Sequence, residues 1–265
     1  MLGARPSPSL ARGSLARRRC GIIGIHQSAG DVSPLLYEGL LMLQHRGQDS
    51  AGMVTTDGSR YCERKANGFV SAVFDSAQSL QALPGRTGLG HVRYPTAGTL
   101  SAQEAQPFFV NSPLGMYLVH NGNLTNAEEL RAGLNSSTSF FRRLLRTGSD
   151  SEVLLNVLAD ELHRAHARCQ ARGARNPSEC VAELLVEAVA STMSLARGAY
   201  SCICLVRGAG LLAFRDPHGI RPLVLGRRVA EGCEHLPQEQ QTYDYAVASE
   251  DCSFGPIGFE RVRDV

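Results

Sequence analysis

No run of this 265-residue chain approaches the ~18 consecutive apolar residues that a membrane-spanning helix needs, so no segment is expected to cross a bilayer. Charge of either sign is in short supply. The formal balance is only +2, which removes any global argument for a nucleic-acid partner. Cysteine occurs eight times, at 20, 62, 169, 180, 202, 204, 233 and 252, but never as a C-x-x-C pair. That irregular spacing gives no disulfide framework and suggests a reducing compartment. Internal repeats and low-complexity tracts are missing from Cys20 onward. Residues 1–19 contain no acid at all but five Arg, and they lack the apolar core of about 7–15 residues that marks a secretory signal. They read as a targeting segment, a short propeptide or a disordered tail, and in each case stand outside the fold. The protein is then expected in the cytoplasm, or in an organelle if the leader is a targeting segment.

What is present is the profile of a globular protein, 43% hydrophobic and 20% charged. The apolar run Gly21–Ile25 predicts a buried strand. Ser33-Pro34 predicts a helix start with Ser as cap, and Val32, Leu35, Leu36, Leu40 and Leu43 form its single apolar face. Strands are expected over Ala51–Thr55, Leu89–Val92 and Met116–His120. Ser149-x-x-Glu152 has the form of a capping box and precedes Val153, Leu154, Val157, Leu158 and Leu162 at helical spacing. A loop over Ala165–Ser178 should separate that helix from a second over Cys180–Leu195. Strands at Tyr200–Val206, Leu211–Arg215, Leu223–Gly226 and Tyr245–Ser249 complete a set of sheets covered by helices, with a polar loop over Arg228–Gln241.

Several of these elements run into polar clusters. Cys20 heads the first strand directly behind Arg17-Arg18-Arg19. If it became the first residue after cleavage, it would carry a thiol nucleophile beside its own base, because an α-amine titrates near pH ~8. Arg93, leaving a strand in Gly90-His91-Val92-Arg93-Tyr94-Pro95-Thr96, can clamp a substrate carboxylate through two parallel hydrogen bonds. His120-Asn121-Gly122-Asn123 reads as a tight turn aiming a side-chain amide and a backbone N–H outward, the hardware of an oxyanion hole. Asp150, at a helix start, is placed to hold an ammonium group. Leu43–Ser50 and Arg215–Pro222 are further dense polar junctions. Each has a plainer reading as well: a buried small residue, a surface Arg, an ordinary Asn-Gly turn, a helix cap, a structural corner. Together they describe what is needed to bind a free amino acid and cleave its side-chain amide, and glutamine fits.

The segments Cys20–Ile25, Leu43–Gly52, Gly90–Gly98, His120–Asn126, Ser149–Glu152 and Arg215–Leu223 occur in the order found in one family. From Cys20 to Val265 the chain resembles the N-terminal half of the amidophosphoribosyltransferases, whose N-terminal domain is a class II glutamine amidotransferase. Other class II amidotransferases, such as the glucosamine-phosphate-forming type, usually have Tyr-Arg-Gly-Tyr-Asp where this chain has His45-Arg46-Gly47-Gln48-Asp49, and they lack the Arg215–Leu223 turn. The resemblance implies an α+β fold, the αββα four-layer sandwich of the N-terminal-nucleophile hydrolases. By the same resemblance Cys20 is the nucleophile and its freed amine the proton shuttle. Asn121 and Gly122 form the oxyanion hole, Arg93 binds the glutamine carboxylate and Asp150 its ammonium, with Arg46 and Thr96 as site-wall residues. Glutamine hydrolysis requires no cofactor.

The expected organisation is a leader over 1–19 and the amidotransferase domain over 20–265. The family's second domain, which uses phosphoribosyl pyrophosphate and accepts the ammonia, is not found here. In the full enzyme the product is 5-phosphoribosylamine, formed in the first step of de novo purine biosynthesis. Magnesium, homo-oligomer formation and a 4Fe–4S cluster with Cys252 as one ligand are likewise expectations for the full enzyme, since a cluster needs about four thiolates. A second reading is a truncated or unprocessed, catalytically silent chain.

Overall fold

The computed structural model describes residues 20–94, 102–136, 139–171 and 180–265. The leader and Thr96 lie outside the described residues. In chain order the strands are β1 Gly21–His26, β2 Ser50–Thr56, β3 Tyr61–Asn67, β4 Thr87–Arg93, β5 Phe108–Val110, β6 Met116–Leu124, β7 Gly198–Val206, β8 Gly210–Arg215, β9 Val224–Val229, β10 Tyr243–Ala248 and β11 Glu260–Asp264. The helices are α1 Ser33–Met42, α2 Val70–Val73, α3 Ala77–Gln81, α4 Ala127–Asn135, α5 Asp150–Ala171 and α6 Val181–Leu195.

The strands form two antiparallel sheets. One has seven strands in the order β11-β9-β10-β1-β4-β2-β3, the other four in the order β5-β6-β7-β8. Three apolar layers follow from the alternation of side chains across each strand. Leu36, Leu40 and Leu43 from α1 and the turn after it pack on Ile23, Ile25 and Met53 of the larger sheet. Ile22, Val54 and Leu89 meet Val119, Ile203 and Leu205 between the sheets. Leu154, Leu158, Leu162, Leu185 and Ala188 cover Leu118, Cys202 and Cys204 on the outer face of the smaller sheet. Helix, sheet, sheet, helix is the expected four-layer sandwich. Among the described residues no helix is long and apolar enough to cross a membrane.

Several local expectations need correction. Val32, not Ser33, occupies the cap of α1, and the Ser33 hydroxyl instead donates to Leu80 O at 3.0 Å. The box at α5 is only half made. Ser149 Oγ accepts from Ser151 N at 3.2 Å, but the Glu152 carboxylate reaches back past Ser149 to the backbone N–H groups of Arg146 and Thr147. Residues 165–171 continue α5 rather than forming a loop, because Ala165 and Cys169 still pack on the core beside α6. The rest of that expected loop, 172–178, lies outside the described residues. Strand β3 carries the polar sequence Tyr-Cys-Glu-Arg-Lys-Ala-Asn and had no apolar alternation to announce it. Arg228 and Val229, read as loop, end β9, where Arg228 is held by Asp244 at 3.1 Å. Asn121 and Gly122 are not a turn: β6 runs through both, paired with Ser201 and Tyr200 of β7.

Candidate active site

The register of the larger sheet assembles one end of the site. Gly21 pairs with Val92, so Cys20, one residue before β1, stands opposite Arg93 at the end of β4. Ser50, at the start of β2, pairs with Arg93 from the other side. Gly47 permits this junction, since a Cβ there would lie 2.5 Å from the Arg93 carbonyl carbon. The smaller sheet supplies the opposite wall through β6. A Cβ on Gly122 would collide with the Ala199 carbonyl and come within 2.7 Å of His120 Nε2, so only glycine fits. The turn after β8 holds β7 in place behind it. Buried Asp216 accepts from Tyr200 N at 3.2 Å and His218 N at 3.0 Å, so the Arg215–Pro222 cluster is a structural corner.

Cys20, Arg93, Gly122 and Asp150 line one cleft of about 190 Å³. A larger hollow of about 550 Å³, around Lys65, Phe108 and Tyr117, contains none of the expected nucleophile, oxyanion-hole or substrate-binding residues. The chemistry therefore selects the smaller one. Cys20 is 9% exposed, and its Sγ lies 4.0 Å from Tyr94 O. Burial pushes its thiol up, against the opposing pull of the Tyr94 backbone contact and the Arg93 and Arg46 charges. Asp150 opens α5, where helix N–H groups favour an anion, and its Oδ2 accepts from Leu124 N at 2.9 Å.

Arg46 and Cys252 sit elsewhere, and Asn121 lies buried beside Gly122 in β6 without lining the cleft. Arg46 is buried behind the cleft, not in its wall. Its Nε donates to Cys20 O at 2.8 Å and its Nη1 pairs with Glu250 Oε1. Burial would raise the Glu250 carboxyl, but the Arg46 charge and the hydrogen bonds from His45 and Arg46 outweigh it and hold the carboxyl below its usual range. Asn121 is 1% exposed, and neither its Oδ1 nor its Nδ2 has a hydrogen-bond partner among the described residues. Cys252 is exposed, with its Sγ 3.7 Å from Glu250 Oε2. Among the described residues no group of three or more His, Cys, Asp or Glu is arranged to hold a metal ion. These residues by themselves do not fit an iron–sulfur cluster.

Three residues of the cleft were not singled out from sequence. His120 Nδ1 is 2.8 Å from Ser151 Oγ and 3.9 Å from Asp150 Oδ1. Its imidazole is pushed down by burial, against the pull of Asp150. Glu104 pairs with Arg93. The third, Ser151, was visible only as the residue beside Asp150.

The class is defined first by the domain: residues 74–171 match the family model described as a glutamine amidotransferase domain. The chain carries such a domain, in the N-terminal-nucleophile hydrolase fold. Within that class its relatives are the amidophosphoribosyltransferases. It is 49% identical to that of Escherichia coli (strain K12) and 42% to that of Schizosaccharomyces pombe, in each case over 93% of this chain. It spans 44% and 42% of those two proteins, less than half their length. Among solved structures, the glutamine phosphoribosylpyrophosphate amidotransferase of B. subtilis complexed with ADP and GMP superposes with a TM-score of 0.69 at 29% identity, over 93% of this chain and 45% of that one.

Proposed function

We propose that the chain, once it begins at Cys20, hydrolyses glutamine to glutamate and ammonia. The observation that carries this reading is the shared cleft of Cys20, Arg93, Gly122 and Asp150, which sets a thiol between a cationic and an anionic anchor for a free amino acid. The substrate carboxylate docks on Arg93 and its ammonium on Asp150. Cys20 Sγ attacks the amide carbon while its proton passes to the freed α-amine, which needs no other base. The tetrahedral oxyanion is held by the Gly122 N–H and the Asn121 amide, a buried donor that no described residue has engaged. Ammonia leaves with the proton from the α-amine, a thioester remains, and water releases glutamate. No cofactor enters these steps. Arg46 acts through the Cys20 carbonyl it holds and is a positioning residue.

Residues 1–19 are then a leader removed before catalysis, and 20–265 the amidotransferase domain. In a longer enzyme the ammonia would pass to phosphoribosyl pyrophosphate, giving 5-phosphoribosylamine at the start of purine biosynthesis. Oligomer formation, magnesium and any iron–sulfur cluster enter only there.

The test is to trap Cys20 with a glutamine-mimicking diazoketone and locate the adduct by mass spectrometry, alongside N-terminal sequencing. A Cys20 adduct on chains that begin at Cys20 is expected, and Cys20→Ser should abolish both labelling and glutamine hydrolysis. Undiminished turnover in Cys20→Ser would overturn the assignment.

A further inference from the structure

Arg93, the expected carboxylate clamp, already holds two carboxylates. Its Nη1 donates to Asp49 Oδ2 at 3.0 Å and its Nη2 pairs with Glu104 Oε2. All three side chains are nearly buried, at 9%, 11% and 9% exposure for Arg93, Asp49 and Glu104. The local balance is one positive charge against two negative ones. A substrate α-carboxylate brought to the same guanidinium would be a third anion on a single cation, among side chains that are nearly buried.

The two acids differ in how they are held. Asp49 is built into the sheet: its N–H donates to Arg93 O at 3.0 Å and its carbonyl accepts from Gly68 N at 2.8 Å. Asp49 is not among the residues that line the cleft, whereas Glu104 is, together with Cys20 and Asp150. Glu104 ends a single short turn, Ala102–Glu104, rather than a strand. Its carboxylate thus reaches Arg93 from a residue of the cleft lining rather than from the sheet behind it.

We infer that Glu104 pairs with Arg93 where the substrate's α-carboxylate would dock and is displaced by it on binding. This rests on the reading of Arg93 as the α-carboxylate anchor. The exchange is one carboxylate for another on the same guanidinium, so the charge around Arg93 is conserved. Only a ligand with an α-carboxylate can complete it, and Glu104 thereby contributes to selection of a free amino acid.

The test compares Glu104→Gln with the wild type in the processed chain. Gln keeps a hydrogen-bond acceptor for Arg93 but removes the competing charge. The KM for glutamine should fall by roughly threefold to tenfold, a fraction of the repulsion between two carboxylates a few ångströms apart, and kcat should change less. The KM for glutamine α-amide, which lacks that carboxylate, should stay within about twofold, since nothing displaces Glu104 in its case. A glutamine KM that rises or stays level, or falls equally for both substrates, overturns the inference; a damaged fold would not lower KM. If Glu104→Gln melts too early to assay, Glu104→Asp, whose shorter arm draws the carboxylate away from Arg93, should lower the KM by a smaller factor, and a rise again overturns it. Calorimetric titration with L-glutamate needs no turnover. Tighter binding in Glu104→Gln without glutaminase activity in either protein sinks the catalytic reading alone, and turnover without tighter binding sinks this one alone.

Discussion

Asn121 is buried with both ends of its amide unpartnered among the described residues, and a site that keeps a polar group in that condition bears a standing cost. That cost makes sense if the missing partner is an oxyanion present only during turnover. Asn121→Ala therefore separates the two roles of the residue. We expect kcat to fall by about 100- to 1,000-fold, corresponding to about 2.7–4 kcal/mol for one oxyanion donor. The melting temperature should stay level or rise, because the folded state loses no hydrogen bond there. Steady-state kinetics and calorimetry on the same preparation check both halves, and a large drop in melting temperature would make Asn121 a structural residue instead. The identities of Cys20, Arg93, Gly122 and Asp150 as cleft residues were legible from local sequence. The partners of Arg46 and Arg93 were not, because Glu250 lies 204 positions from Arg46 and no local spacing encodes such a pair.

At the scale of the element, strands and helices buried on one or both faces were readable, and those outside the apolar pattern were not. Strand β1 is a continuous apolar run because both faces are covered, and α5 shows its Leu and Val residues at helical spacing. The miss at β3 has a plain physical origin. It is an edge strand whose sequence alternates no apolar residues, and its backbone pairing with β2 is what makes it a strand. The turn expected at Asn121-Gly122 fails for the opposite reason. Tertiary pairing with β7 outweighs the turn preference of an Asn-Gly pair. Helix α5 ties site to core, with Asp150 at its first residue and Leu158 fully buried against the smaller sheet. Leu158→Ala should cost about 2–5 kcal/mol, the range for emptying a buried leucine site. Denaturant unfolding would measure it, and a change below 1 kcal/mol, on the order of a surface substitution, would show that α5 is not an integral part of the core.

For the whole molecule, two buried imidazoles set a pH dependence. His91 is fully buried, and burial first, with His120 and Arg93 adding to it, pushes its pKa down from 6.5 to about 3. His120 shifts in the same direction. Both groups bind a proton more readily in the unfolded chain, so stability is intact above pH ~6.5 and falls as the medium is acidified towards the folded-state value. For His91 the loss runs from about pH 6.5 down to about pH 3, with a slope approaching about 1.4 kcal/mol per pH unit. Melting temperature measured across that window should drop steadily in the wild type and less steeply in His91→Gln. Equal slopes would show that other groups govern acid unfolding.

Ordinary chain ends fray because nothing holds their first residues. Here the Arg46 side chain grips the carbonyl of Cys20, and Ile22 exchanges two hydrogen bonds with Ser249, through its N–H to the hydroxyl and its carbonyl to the backbone amide. A terminus created at Cys20 by proteolysis would thus be moored from the moment it forms. The newly exposed amine would swing on a single residue and stay within reach of its own sulfur, with no refolding step between the cut and the first turnover.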